Sequence, residues 1–358
     1  MDIGIAFDLK SDFVTKSDFV TKSDFAPPTG AEPRAAGPGP DDLLEEYDSE
    51  RTIDGIAAAL VKRGHAARRL GGGRRFLEAV LRAPPDLVFN VAEGSGSRSR
   101  ETHVPTVCEM LRIPCTHSDP LTLAVALDKG MAKRVVAAAG VATPRYAVVE
   151  SIAEAQRLDL EFPLIAKPLF EGSSMGVRTG SKCDDRGALA RQLARLLGDY
   201  RQPALIEEFC TGPEFTVGVL GCGAGARPIG VMEIVPLKGG TENFVYSVEV
   251  KRIWSEEIAY HVPPQRPREF VAALERTALA AYRALQCRDV GRVDLRVGRD
   301  GEPKFIEINP LPGVNPGWSD LCVLSEKAGL SYDELIGTIL DEALARLGDA
   351  VAARRKGS

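Results

Sequence analysis

Short apolar runs alternate along the chain with segments of helical spacing, which predicts a succession of strands and helices. Asp2 to Phe7 has the pattern of an opening strand, and residues 48–63 carry apolar side chains at helical spacing. A buried strand is predicted at 86–91, a helix at 104–111 and a short strand at 113–116. This order predicts a small parallel α/β domain that ends near residue 120.

The rest of the chain predicts two further units in which helices and strands are mixed. The second unit is predicted to contain a helix over 127–140, strands at 146–149 and 164–168, and a helix over 189–197. The third unit is predicted to begin with a strand at 204–209, followed by strands and helices at 214–220, 229–235, 270–285, 290–297, 304–309 and 331–346. The fold class is therefore α/β followed by α+β, with predicted domains at 1–120, 121–203 and 204–350.

A six-residue unit is repeated near the N-terminus. SDFVTK occupies 11–16, recurs without change at 17–22 and begins again at 23–25, and residues 26–40 are rich in Pro, Gly and Ala. So short a period repeated so few times does not build a solenoid. Because the entropy cost of closing a loop grows slowly with its length, we interpret residues 11–40 as a flexible surface insertion.

Composition narrows the class of protein. The chain has 45 Lys and Arg residues and 50 Asp and Glu residues, which gives a net charge of −5. It therefore lacks the basic surface that a nucleic-acid partner requires. No apolar run is long enough for a membrane-spanning helix, and no signal peptide is predicted. The 7 cysteines and 4 histidines show neither disulfide nor zinc spacing. These features indicate a cytoplasmic protein with reduced cysteines.

Two predicted strands carry polar side chains that can meet at one point. Arg292 and Asp294 alternate along one strand, and Glu307 and Asn309 do the same along the next. Two carboxylates and an amide oxygen are hard ligands that suit Mg²⁺ completed by phosphate oxygens and water. The alternative is a half-polar surface strand with an ordinary ion pair, and spacing leaves both interpretations open.

A glycine-bearing loop follows the strand that contains Lys167. The segment Glu171 to Gly176 reads EGSSMG, in which glycines allow backbone amides to approach phosphate oxygens and hydroxyls add donors. Lys167 lies near the end of an apolar strand, so its charge needs a partner. A nucleotide phosphate and a structural carboxylate are equally compatible with that position.

Taken together, these segments resemble the ATP-grasp superfamily, and more closely its D-alanine–D-alanine ligase branch. The resemblance extends from about Asp86 to Leu340 and rests on ordered motifs. These are Asp128-Lys129, the Lys167 strand with its loop to Gly176, LIEEF at 205–209 with GPEFTV at 212–217, GRVD at 291–294, and IEINPLPG at 306–313. The resemblance implies a fold of three subdomains that holds a nucleotide between the central and C-terminal ones.

The resemblance also implies roles for individual residues. The implied ATP contacts are Lys129, Lys167, Ser174, Glu207, Phe209, Glu214, Lys251 and Ile306. Asp294, Glu307 and Asn309 are implied ligands of two Mg²⁺ ions, for which Mn²⁺ can substitute. Arg292 and the amide of Gly313 resemble the pair that steadies the oxyanion, Lys251 resembles a catalytic cation, and Ser173 resembles the serine beside the first substrate.

The implied reaction is the ADP-forming ligation of a carboxylate and an amine, with amino acids as the expected substrates. ATP phosphorylates the carboxylate, an amine attacks the acyl phosphate, and hydrogen-bond donors stabilise the oxyanion. Water must be excluded because an acyl phosphate hydrolyses. Dimers are common among similar ligases, which leaves a homodimer open.

Several departures from the family pattern fall on the substrate side. In an ungapped match to the family pattern, Glu45 occupies the position of the glutamate that binds the ammonium group of the first amino acid. Glu93 replaces the histidine of the family's H-G-x-x-G-E-D-G loop. Arg252 replaces a tyrosine that closes over the second substrate. Ser319 is displaced by one position from the serine that binds the second substrate's carboxylate, and bulky Trp318 lies beside it. We therefore expect a ligase with an altered substrate pocket.

Other functions are compatible with the same sequence. The departures could be drift in an authentic D-alanine–D-alanine ligase. The chain could also be a kinase that stops at phosphoryl transfer, or a regulatory module that only binds nucleotide. Retention of Arg292 and of the three expected metal ligands argues against the regulatory module. The pattern alone does not identify the acid and the amine that are joined.

Overall fold

The computed structural model of the chain describes residues 1–14 and 40–357. Its first sheet has three parallel strands in the order β2-β1-β3: β1 (Asp2–Ala6), β2 (Ala66–Arg69) and β3 (Leu87–Asn90). The helices of this part are α1 (Lys10–Val14), α2 (Glu50–Lys62), α3 (Gly73–Arg82) and α4 (His103–Met110). The predicted elements at 2–7, 48–63, 86–91 and 104–111 are thereby confirmed within one or two residues.

The segment predicted as a strand at 113–116 forms only an isolated parallel bridge between Cys115 and Val88. Arg112 and His117, on its two sides, have left-handed backbone conformations with φ of 54° and 67°. These turns lead the chain away from β3 before a longer ladder can form. The prediction of a regular strand there was wrong.

The predicted insertion at 11–40 falls mostly outside the described residues. Its first residues are helical rather than looped, because α1 continues to Val14. Phe13, from the first repeat unit, stacks on Tyr47 with ring centroids 4.1 Å apart. The start of the repeat is therefore packed against the first domain, while the prediction for 15–39 stays a prediction.

The second sheet has four antiparallel strands in the order β4-β7-β5-β6. Its strands are β4 (Tyr146–Val149), β5 (Leu164–Pro168), β6 (Lys182–Cys183) and β7 (Ala204–Glu208). The helices α5 (Pro120–Leu127) and α6 (Lys129–Ala138) precede these strands in the sequence. The helix α7 (Ile152–Ala155) lies between β4 and β5, and α8 (Arg186–Asp199) lies between β6 and β7.

Two predicted boundaries change here. The helix predicted over 127–140 begins at Lys129, because Asp128 is non-helical and its side chain accepts from the Met131 amide as an N-cap. The strand predicted at 204–209 was assigned to the third unit, but β7 pairs with both β4 and β5. The second sheet therefore extends past residue 203, since its interior strand comes last in the sequence.

The third sheet has five antiparallel strands in the order β10-β9-β8-β11-β12. They are β8 (Glu214–Leu220), β9 (Arg227–Pro236), β10 (Ile258–His261), β11 (Val290–Val297) and β12 (Pro303–Asn309). The helices are α9 (Val248–Arg252), α10 (Trp254–Glu257), α11 (Arg268–Ala284), α12 (Asp320–Lys327) and α13 (Tyr332–Gly357).

The cores do not follow the order of the sequence. Ala132 and Val136 of α6 pack with Phe215 and Tyr282 in the core of the third sheet. The C-terminal helix α13 returns to the first sheet and packs against Ile53 and its neighbours on α2. These packing contacts connect the three sheets. Within the described residues, no helix combines the length and apolar character needed to cross a bilayer.

Candidate active site

A cavity of about 90 Å³ lies between the second and third sheets. Strands β5 and β7 supply one wall, and β8, β11 and β12 supply the other. The residues predicted to contact ATP all line it, namely Lys129, Lys167, Ser174, Glu207, Phe209, Glu214, Lys251 and Ile306. The two sheets thus bring together residues that are spread over most of the chain.

A buried charge cluster forms part of this cavity's wall. Glu207 is 1% exposed, and its two carboxylate oxygens lie 2.5 Å from the Lys133 ammonium and 2.7 Å from the Lys167 ammonium. Burial raises the pKa of Glu207, but the two lysines outweigh it and hold that pKa below its usual value. Glu207 is thus already paired with lysines, so its predicted contact with ATP stays a prediction.

Lys133 was not singled out from the sequence. It is fully buried on α6, and its ammonium donates to the Thr143 hydroxyl at 2.8 Å and the Phe305 carbonyl at 3.2 Å. Lys129 and Lys133 are four residues apart and therefore share one face of the helix. The four-residue spacing was the available signal in the sequence. Its importance depends on the burial of this helix face, which only the structure shows.

The predicted metal ligands lie on adjacent strands in register. Asp294 is opposite Glu307, and Arg292 is opposite Asn309, in the β11–β12 ladder. Arg292 donates to Asp294 from Nε at 3.1 Å and from Nη2 at 2.9 Å. The Thr216 hydroxyl and the Asn309 amide donate to the same carboxylate at 2.7 and 3.3 Å. The geometric prediction that two strands aim these groups at one region is confirmed.

Glu307 faces a strongly positive environment. Its carboxylate lies 3.5 Å from the Lys129 ammonium. Burial raises the pKa of Glu307, but the surrounding cations, led by Lys129 and Lys167, outweigh it and lower the pKa to about 2. The carboxylate is therefore ionised at neutral pH, as a ligand of a hard cation must be.

The donor set fits a divalent cation that is shared with phosphate. No group of three His, Cys, Asp or Glu side chains among the described residues is arranged to hold a metal by itself. Asp294 and Glu307 supply only two carboxylates, and the third predicted ligand, Asn309, is an amide. Oxygen ligands of this kind suit Mg²⁺, which commonly takes one or two carboxylates together with phosphate oxygens.

The glycine-bearing loop has a sharply turned backbone. Ser173 and Ser174 have φ of 46° and 59°, and Gly176 has φ of 73°. A Cβ atom at Gly176 would clash with the Pro168 ring, so the left-handed turn requires glycine there. The Glu46 Oε1 accepts from the Gly172 amide at 2.5 Å, which brings the loop against the segment around Glu46.

A hydrogen-bond network around Asp320 was missed by the sequence analysis. The hydroxyls of Tyr246 and Tyr260 each donate to Asp320 Oδ1 at 3.0 Å. Its Oδ2 lies 3.6 Å from Arg292 and 4.0 Å from Lys251. Because Asp320 is 74 residues from Tyr246 and 60 from Tyr260, no local pattern indicates the contact.

Arg296 was also missed, although it lines the smaller cavity. Its guanidinium stacks over the Phe209 ring at 4.3 Å and lies 3.6 Å from Glu214. It also donates to the backbone carbonyls of Gly212 and Phe244 at 3.1 and 2.7 Å. The alternation Arg292, Asp294, Arg296 along β11 was the available signal, since side chains on one strand face repeat every two residues.

A larger cavity of about 220 Å³ adjoins the first. The two linings share Lys129, Tyr246, Lys251, Glu307 and Asp320. The remaining predicted catalytic and substrate residues line the larger cavity, and these are Ser173, Arg292, Gly313, Glu45, Glu93, Arg252, Trp318 and Ser319. The predicted nucleotide side and the predicted substrate side are therefore adjacent.

Some of the predicted substrate residues already have protein partners. Arg252 pairs with Glu45 and Asp41, and Glu45 also lies 3.7 Å from Lys10. The Ser319 hydroxyl accepts from the Asn315 amide at 3.0 Å. Trp318 is 47% exposed, so it stands at the rim of the cavity and does not fill it.

Several known proteins are similar to this chain. Residues 135–341 match the family model described as the D-ala D-ala ligase C-terminus. A D-alanine–D-alanine ligase of Methylibium petroleiphilum is 39% identical over 258 residues, which are 69% of this chain and 76% of that protein. One from Bordetella petrii is 32% identical over 82% of this chain and 86% of its own. An uncharacterized protein of Sinorhizobium fredii is 32% identical over 84% of this chain and 89% of its own.

Solved structures share the fold. The crystal structure of D-alanine–D-alanine ligase from Bacillus anthracis complexed with ATP is similar at a TM-score of 0.66, with 19% identity over 98% of this chain and 99% of its own. The crystal structure of the VanG D-Ala:D-Ser ligase from Enterococcus faecalis is similar at a TM-score of 0.64, with 19% identity over 96% of this chain and 99% of its own. These likenesses confirm the predicted fold class. With the family-model match and the relatives above, they establish that the chain belongs to the D-alanine–D-alanine ligase family of ATP-grasp proteins and is an ATP-dependent ligase.

Proposed function

We propose that this ligase joins the carboxylate of one amino acid to the amine of a second through an acyl phosphate, with Mg²⁺ as its metal. The junction of the two cavities carries this proposal. Lys251 and Glu307 line both the cavity with the predicted ATP contacts and the cavity with the predicted substrate residues. A phosphoryl group and a carboxylate held in the two cavities would meet between these side chains.

On the nucleotide side, Asp294, Glu307 and Asn309 would hold Mg²⁺ together with phosphate oxygens. When bound, the metal offsets the charge between the phosphates during phosphoryl transfer. Lys129 and Lys167 lie beside Glu307 and would hold the phosphates by charge. Their burial strengthens these interactions, because solvent screens charges less inside the protein.

On the substrate side, Arg292 and the Gly313 amide would stabilise the oxyanion that forms when the amine attacks. Arg292 is held in place by Asp294 and Asp320, so its donors are oriented before the reaction begins. Ser173 lines the same cavity and would contact the first substrate. Asp320 acts in this proposal as a positioning residue, because it lies between Arg292 and Lys251.

We further propose that the acceptor is an amine other than D-alanine alone. The Ser319 hydroxyl already accepts a hydrogen bond from the Asn315 amide, and Trp318 stands beside it. The charge of Arg252, which replaces the family's closing tyrosine, is balanced by Asp41 and Glu45. These contacts support an acceptor end that differs in shape and polarity from the family pattern.

The test is a mass-spectrometric screen of paired amino acids with ATP and Mg²⁺. We expect a product of dehydrated mass, together with ADP and phosphate, only when an acid and an amine are both present. AMP and pyrophosphate would overturn the acyl-phosphate route. A stable phosphorylated product without an amide would identify a kinase. Efficient synthesis of D-alanyl-D-alanine would restore the authentic D-alanine–D-alanine ligase.

A further inference from the structure

The larger cavity has an acidic end that lies against the first sheet. Glu45, Glu46, Asp48, Glu93 and Glu101 line this acidic end. Every cation that lines the cavity has an acidic partner within 4.0 Å: Lys10 with Glu45, Lys129 with Glu307, Lys251 with Asp320, Arg252 with Asp41 and Glu45, and Arg292 with Asp294 and Asp320. The described lining of the cavity therefore offers these acids no uncommitted positive charge.

Glu93 and Glu101 stand out within the acidic end. Among the described residues, neither carboxylate has a hydrogen-bond or ion-pair partner. Glu101 is only 9% exposed, and it faces the cavity. The adjacent Arg100 supplies only part of the missing charge, because its guanidinium is held by Glu46 at 2.6 Å and by Glu171 at 3.3 Å.

An unpaired carboxylate at such a position is unfavourable, and the titration of both groups reflects this. Burial raises the pKa of Glu101 to about 7. Burial also raises the pKa of Glu93, and the neighbouring Glu101 and Glu46 raise it further. A bound cation would favour the ionised form of both carboxylates and would compensate their desolvation.

A single ammonium group does not balance the acidic end. Glu45, at the position expected for the family's ammonium-binding glutamate, and the adjacent Glu46 are both paired with arginines. An amino acid with an uncharged side chain would place only its α-ammonium group beside the carboxylates of Glu93 and Glu101, which are unpaired among the described residues. The balance of charge is met by a ligand with two cationic groups.

We infer that the amino acid whose carboxylate is phosphorylated is basic, and that Glu93 and Glu101 together bind its α-ammonium and its second cationic group. This inference rests on the proposed function. The ligand class is a diamino or guanidino acid, because an ammonium or guanidinium donates several hydrogen bonds to two carboxylates. Arg292 and Lys251, at the other end of the cavity, would bind its carboxylate.

The experiment isolates this first substrate from the acceptor. The protein is incubated with ATP, Mg²⁺, one amino acid and hydroxylamine, which traps an acyl phosphate as a hydroxamate and releases phosphate. Ornithine, lysine, 2,3-diaminopropionate and arginine are compared with alanine, serine and norleucine, each in both enantiomers. We expect kcat/KM at least about tenfold higher for the best basic acid than for any neutral one, as one charged hydrogen bond contributes that much.

Matched variants connect the preference to the two carboxylates. Glu93→Gln and Glu101→Gln are each expected to lower the ratio of basic to neutral kcat/KM about tenfold or more. Glu109→Gln removes the same charge from an exposed position on α4 and is expected to leave the ratio unchanged. Melting temperatures of all three variants show whether a loss reflects unfolding.

The outcomes separate this inference from the proposed function. Hydroxamate from neutral acids at rates equal to the basic ones would overturn the inference and leave the ligase reaction in place. A ratio that falls equally in Glu109→Gln would also overturn it. The absence of hydroxamate with every amino acid, while ADP still forms, would overturn the acyl-phosphate reaction itself.

Discussion

Arg252 donates hydrogen bonds from Nε and Nη2 to one oxygen of Glu45, at 2.9 and 2.7 Å. A third bond runs from its Nη1 to Asp41 at 2.6 Å. The sequence predicted that Glu45 and Arg252 would each contact a substrate, whereas in the structure each balances the charge of the other. The pair links α9 to the segment before α2 at the wall of the larger cavity.

Arg252→Ala is expected to loosen this link and raise the KM for the amino-acid substrates roughly three- to tenfold. Exposed ion pairs contribute up to about 1 kcal/mol each, so the melting temperature should change little. Steady-state kinetics with each substrate varied in turn measures the effect. Arg74→Ala removes an exposed arginine paired with Glu78 on α3 and serves as the control. Equal KM values in the two variants would refute the proposed link.

Glu307→Gln is expected to lower kcat at least about a hundredfold while the protein stays folded. The substitution keeps the size of the side chain but removes the charge that faces Lys129 and the predicted metal position. The measurement is ADP release at saturating Mg²⁺, with circular dichroism as a check of folding. Glu302→Gln, on the exposed turn between β11 and β12, should behave as the native protein. Native activity in Glu307→Gln would exclude Glu307 as a metal ligand.

Glu207→Gln is expected to destabilise the fold by about 3–5 kcal/mol, because it leaves Lys133 and Lys167 buried without their counter-charge. Urea unfolding measures the loss. The neighbouring Glu208→Gln is the matched control, since Glu208 pairs at 3.1 Å with the largely exposed Arg145. We expect a loss below about 1 kcal/mol there. Similar losses in both variants would contradict the assignment of Glu207 as the centre of a buried charge cluster.

The stability of the protein is expected to depend on pH through Glu101. Burial, only partly offset by Arg100, raises the pKa of this carboxyl from 4.5 to about 7. Between those values the folded chain binds more protons than the unfolded chain, so its stability falls as the pH rises. The glutamine side chain in Glu101→Gln has no charge at any pH in this range.

The melting temperature, followed from about pH 4.5 to 7.5, should therefore decline less steeply in Glu101→Gln than in the native protein. Some decline should remain, because the pKa of Asp48 is also raised to about 7. Glu109→Gln provides the control for loss of an exposed carboxylate. Parallel curves for native protein and Glu101→Gln would show that Glu101 does not carry a raised pKa.

Much of the fold could be predicted from the sequence, since local patterns dictate it. Apolar residues at helical spacing indicated α2, and an apolar run indicated β3. The alternation along β11 and β12 placed Asp294 and Glu307 on one side of the sheet, and the structure pairs them directly. These features depend on side-chain periodicity within one element, which the sequence contains completely.

Tertiary structure alone decided which groups are paired and which are left unpaired. Asp320 joins Arg292, Lys251 and two tyrosines from distant parts of the chain, and nothing in its neighbourhood in the sequence indicates this. Strand β7 lies in the second sheet although it follows the predicted boundary at 203, because strand order in a sheet is not sequence order. The availability of a charged side chain for a ligand depends on partners supplied by other elements. That is why Arg252 is engaged by Glu45, whereas Glu101 faces the cavity without a partner among residues 1–14 and 40–357.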